Sequence, residues 1–145
     1  MFLNELNQKE SEAFVNLVKQ LAMVDNDFAK SEQELVAEYI EELGVDESKV
    51  AILDNDTAIS MLKDSTERIK NIIYLELVGL AIIDGKNLDE EVDFLEKVAL
   101  ELNIARHKRI AFANFYMNFK DIYDFTVVDS DSKLELIKKQ VEAII

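Results

Sequence analysis

The sequence predicts an all-α protein: a compact bundle of six or seven helices built around two helix-turn-helix repeats related by a pseudo-twofold axis. Three observations lead there. The 145 residues include no proline and only three glycines, and the polar residues are mainly Glu, Lys, Asp and Asn, a composition that favours long helices over turn-rich sheets. Apolar residues recur at helical spacing in several segments. The chain also resembles itself at an offset of 59 positions. With 49% apolar and 32% charged residues, this length suits one well-buried core, so a single domain over 1–145 is expected.

The repeat sets the order of the elements. Residues 14–45, FVNLVKQLAMVDNDFAKSEQELVAEYIEELGV, align with residues 73–104, IYLELVGLAIIDGKNLDEEVDFLEKVALELNI. Identities are few, among them Ala22/Ala81, Asp25/Asp84, Glu32/Glu91 and Leu43/Leu102. The pattern is stronger: the stripe Leu35, Val36, Tyr39, Ile40, Leu43 falls position for position on Phe94, Leu95, Val98, Ala99, Leu102. Gly44 and Asn103, residue types that tolerate the left-handed conformation closing a helix, also fall opposite each other. Each unit therefore reads as a helix, a short turn and a second helix with one wet face.

Between the repeats, residues of roughly 46 to 63 read as one or two short helical pieces, with Asp56 or Thr57 as the expected cap. The run IIYLELVGLAII over 72–83 is apolar on nearly every side apart from Glu76, which predicts a helix at the centre of the bundle. It falls short of the roughly 20 residues a membrane span needs. After residue 104, Phe112, Phe115, Tyr116, Phe119 and Tyr123 share one helical face, as core packing requires. A last helix is expected to begin at SKLE, where Ser132 and Glu135 have capping-box spacing.

Composition also bounds function. The chain has no cysteine and a single histidine, His107, so disulfides, thiolate metal sites, cysteine nucleophiles and multi-histidine sites are excluded. The beginning MFLNELNQKE lacks the pattern of a secretory signal, and a cytoplasmic location is expected. A net charge of −14 repels nucleic acid and anionic lipid, leaving cations or basic proteins as partners. The charge is uneven: residues 1–104 carry 24 acids against 9 bases, net −15, and residues 105–145 carry 6 against 7, net +1. The basic cluster RHKR, Arg106 to Arg109, reads as a solvated helix start.

Both repeats place an Asp at the end of the first helix and a Glu seven residues later. If the turns met across the pseudo-twofold axis, Asp25, Glu32, Asp84 and Glu91 would converge; four carboxylates repel unless protonated or bridged, and oxygen ligands favour hard ions such as Ca²⁺, Mg²⁺ or Mn²⁺. Asp27 and Glu90 are secondary candidates. The same residues have a plain structural use, since Glu in a first turn complements the helix dipole and Asp often turns or caps a chain. An EF-hand is rejected, because its bidentate Glu would stand where Val36 and Leu95 stand.

The pair LAMVDNDFAKSEQE and LAIIDGKNLDEE resembles the signature of TerB-like proteins, the helical tellurite-resistance and stress-response family, in which an "ADG" turn followed by Glu occurs in each of two helical halves. The resemblance covers roughly residues 14 to 104; Asn26 stands where the family has glycine, and Val24 and Ile83 where it has a small residue. It implies an all-helical, pseudo-symmetric cytoplasmic module whose acidic turn residues, here Asp25, Glu32, Asp84 and Glu91, chelate metal. No Ser/His/Asp arrangement, phosphate-cradling loop or nicotinamide fingerprint is present, so no catalytic residue is named and a non-enzymatic role is expected. The expected function is binding of a divalent cation, or docking of protein partners, at the acidic turns. The rival expectation is an acidic decoy that occupies a basic, nucleic-acid-binding groove of another protein. Neither reading demands or forbids a homo-oligomer.

Overall fold

The computed structural model describes residues 2–24, 30–82, 89–125 and 130–145, with side chains described for 2–24, 33–82, 89–118 and 134–145. Among the described residues every regular element is helical, as the composition predicts: α1 (Gln8–Ala22), α2 (Lys30–Leu43), α3 (Asn55–Leu62), α4 (Glu67–Ile82), α5 (Asp89–Glu101), α6 (Arg106–Phe125) and α7 (Ser130–Ile144), with short 3-10 turns at Leu3–Glu5 and Glu47–Lys49. No described helix is long and apolar enough to cross a membrane. The chain forms two compact units, Met1–Ile104 and Ala105–Ile145.

The first unit is organised by α1 and α4. Helix α1 packs against α2, α3 and α4, and α4 also packs against α5 and the turn at Leu3–Glu5. Phe14, Leu17 and Leu21 of α1 and Ile72, Ile73, Leu75, Leu77 and Leu80 of α4 are among the most buried side chains. Residues 71 to 78 are buried without interruption, so α4 is enclosed on all sides, as its apolar run predicts. The outer helices carry one inward stripe each: all ten residues aligned between α2 and α5 are buried or half-buried.

At the offset of 59, the starts of α1 and α2 fall on the starts of α4 and α5, and their ends agree within one residue. The closures agree as well. Gly44 has φ 66° and donates its N–H to Ile40 O, while Asn103 has φ 57° and is followed by Ile104 N–H reaching Ala99 O, the long bond of a Schellman ending.

Helix starts follow from local chemistry. Asn7 and Glu10 form a capping box at α1, with Glu10 N donating to Asn7 Oδ1 at 2.8 Å and Asn7 N to Glu10 Oε1 at 3.0 Å. The cap of α3 is Asp54, which accepts from Thr57 N at 2.7 Å. The expected caps Asp56 and Thr57 instead lie inside the first turn, one paired with Lys97 of α5 at 2.6 Å and the other supplying the capped N–H. Because an N-cap carboxylate reaches the third helical N–H, the residue that closes this turn is the one before Asn55.

An extended segment leads into α3 and is clipped to α1 by one buried side chain. Asn16 donates to Ala51 O and to Glu12 O, both at 2.9 Å, and accepts from Leu53 N at 2.8 Å; Gln20, one turn on, donates to Leu53 O. The amide satisfies backbone groups that have no strand to pair with.

In the second unit α6 packs on α7, and Phe112, Phe115, Ile137 and Val141 are buried. Phe119 and Tyr123 lie outside the side chains described. Arg106 and His107 face solvent, whereas Lys108 turns its ammonium to Ile144 O at 2.7 Å, placing a cation on the carbonyl end of α7. Helix α7 begins at Ser130, two residues before the expected cap Ser132, which therefore lies within the helix.

Candidate functional site

The two acidic elbows connect α1 to α2 and α4 to α5 in the first unit. Asp25, Asp27 and Asp84 lie outside the described residues, as does the side chain of Glu32. The predicted convergence of Asp25, Glu32, Asp84 and Glu91 is therefore described only at Glu91. There the structure separates two neighbours: Glu90 is exposed, and Glu91 is buried with 4% of its surface accessible. The helical register explains the difference. Glu91 precedes Phe94 by three residues and Val98 by seven, which puts it on the inward stripe of α5, while Glu90 faces water. Among the described residues no three carboxylates or histidines are grouped so as to hold a metal ion.

A second acidic locus lies where α2 and α4 approach. Glu76, in the middle of α4, is buried. Burial pushes its carboxyl above the ordinary Glu value of 4.5, a hydrogen bond with the Tyr39 side chain works in the opposite direction, and the charge of Glu42 adds to the upward shift. The Tyr39 hydroxyl donates to the Glu76 backbone carbonyl at 3.2 Å, and Tyr39 also meets the ring of Phe14 edge-on, 5.4 Å between centroids. Glu42, one turn beyond Tyr39 on α2, accepts from the Leu3 N–H at 3.2 Å. A Glu inside an apolar run points to this locus in the sequence, but its partners come from residues distant along the chain and carry no local signal.

Two further buried polar groups tie the first unit together. Glu10 accepts from Ser65 Oγ, linking the start of α1 to the turn before α4, and Asn16 holds the segment before α3. The Asn7–Glu10 spacing is a legible capping signature; the role of Asn16 is marked only by a polar residue within the apolar run AFVNLV.

Comparison with protein-family models, with curated proteins and with solved structures found no significant match.

Proposed function

We propose that the chain is a non-enzymatic, TerB-like helical module of a stress response, whose two acidic elbows bind a divalent cation and through it, or directly, dock a protein partner. The observation that carries this reading is the burial of Glu91. A first-turn glutamate needed only for the helix dipole can do so from the solvent face, as Glu90 does, whereas Glu91 stands on the inward face beside the elbow that contains Asp84. The matching limits of α1–α2 and α4–α5 support placing Asp25 and Glu32 in an equivalent elbow. Carboxylates from both elbows would suit Ca²⁺, Mg²⁺ or Mn²⁺.

The test is thermal unfolding with each ion, for the parent chain and for Asp84→Asn and Glu91→Gln. An ion at 100 times its dissociation constant stabilises the parent by about 2.7 kcal/mol, and the substitutions abolish the gain. No shift with any ion removes the cation from the proposal.

A second reading is favoured by one observation: the surplus of negative charge ends where the first unit ends, at residue 104. An acidic decoy spreads its charge over a surface. Its binding to a basic protein would survive Asp84→Asn and weaken steeply with salt, whereas a cation-dependent contact is lost with that one change.

A further inference from the structure

The segment Phe2–Leu6 fills the space between α2 and α4. Its 3-10 turn packs on both helices, and the Leu3 side chain is completely buried. On one side Leu3 N–H reaches Glu42 of α2; on the other, Glu5 forms a two-point ion pair with Arg68 of α4, at 2.8 and 2.9 Å. The same guanidinium lies over the Phe2 ring, 5.6 Å from its centre. These ties converge at the locus that contains Glu76: Glu42 is close enough for its charge to act on the Glu76 carboxyl, and Tyr39, one turn before Glu42, holds the Glu76 carbonyl.

Three features separate this segment energetically from the helices beneath it. Phe2 has φ 63°, a left-handed conformation that L side chains rarely adopt. Leu6 and Asn7 are extended, forming a joint between the turn and α1. The capping box Asn7–Glu10 is complete on the helix side of that joint, so the start of α1 keeps its hydrogen bonds whether or not the segment is docked. The described ties to the helices beneath are the Leu3 side chain, the Leu3 N–H bond to Glu42, and the Arg68 guanidinium shared between the Phe2 ring and a half-exposed ion pair with Glu5.

We propose that Phe2–Leu6 is a strap that opens about the Leu6–Asn7 joint while the helices stay folded, uncovering the α2–α4 seam and admitting water to Glu76. Sub-global opening of this kind needs few buried contacts to be broken and leaves the rest of the unit intact.

The absence of native cysteine makes single thiol probes specific. Leu3→Cys reports the strap, Glu76→Cys the seam beneath it, and Leu17→Cys, a fully buried site on α1, global unfolding. Under native conditions the thiols at positions 3 and 76 react with an aromatic disulfide reagent faster than the thiol at 17. Adding Arg68→Gln accelerates positions 3 and 76 together, on the order of fivefold, the equivalent of one half-exposed ion pair, and leaves position 17 unchanged. Equal rates at all three positions overturn the proposal, as does a position 76 that follows position 17.

Because Leu3→Cys shortens the anchor, hydrogen exchange of the unaltered chain provides the second measurement. The Leu6 N–H, bonded to Leu3 O, exchanges faster than the Ser11 N–H, bonded to Asn7 O. Exchange of both at one rate overturns the strap.

Discussion

Gly44 and Asn103, 59 positions apart, close α2 and α5 in the same left-handed conformation, at φ 66° and 57°. One is the residue type best suited to it, the other the next best. A methyl group added at Gly44 would meet no atom within 4 Å, so the cost of Gly44→Ala is backbone strain alone, about 1 kcal/mol. Asn103→Ala carries a similar loss, and Asn103→Gly changes stability by less than about 0.5 kcal/mol. Urea midpoints at unchanged slope check all three. A tolerated Gly44→Ala would show that the closure is not held in this conformation in solution.

The Asn16 clip makes a second prediction. Asn16→Ala leaves Leu53 N–H and Ala51 O without their partner on α1, at a cost of about 2 kcal/mol. Asn16→Asp keeps the shape but turns a carboxylate oxygen toward the carbonyls of Glu12 and Ala51, and is at least as damaging above the carboxyl's own titration. Faster exchange of the Leu53 amide, with the middle of α4 unchanged, locates the effect.

Two glutamates predict opposite pH dependences. Glu76 holds its proton more tightly in the folded state than at the ordinary value of 4.5, so the stability that its neutral form preserves is complete below that value and lost as pH rises through the raised one. Glu5 is the reverse: the hydrogen bond and charge of Arg68 lower it, and its contribution is present above 4.5 and lost as pH falls through the lowered value. In urea titrations across pH, Glu76→Gln therefore gains on the parent as pH rises from 4.5, and Glu5→Gln gains as pH falls below it. A difference between Glu76→Gln and the parent that stays flat with pH would contradict a buried ionisable group at this position.

What was legible in the sequence follows from how local each signal is. Helix periodicity depends on residues three and four apart, and it marks the stripes of α2 and α5 and the enclosed α4; the two left-handed closures are marked by residue type, Gly44 and Asn103. Caps were less legible. Asp54 and Asp56 both precede plausible first turns, and only the position of Thr57 N–H selects between them. The start of α7, at Ser130 and not at Ser132, is hidden for the same reason, since a Ser with capping spacing can equally lie within a helix. At the site, periodicity separates Glu91 from Glu90, but whether Asp25, Glu32 and Asp84 come together depends on how two hairpins face each other, which no local pattern encodes. The Glu42–Leu3 and Asn16–Leu53 bonds span 39 and 37 positions and are illegible for that reason.

The first unit carries fifteen more negative than positive charges on about a hundred residues, and so behaves as a small polyanion as well as a folded body. Its ion atmosphere is part of its thermodynamics: mutual repulsion among surface carboxylates relaxes as any electrolyte is added, without a specific ligand. Divalent ions screen more strongly than sodium at equal concentration, so a rise in melting temperature identifies a chelated ion only when it exceeds the rise in sodium chloride of matched ionic strength.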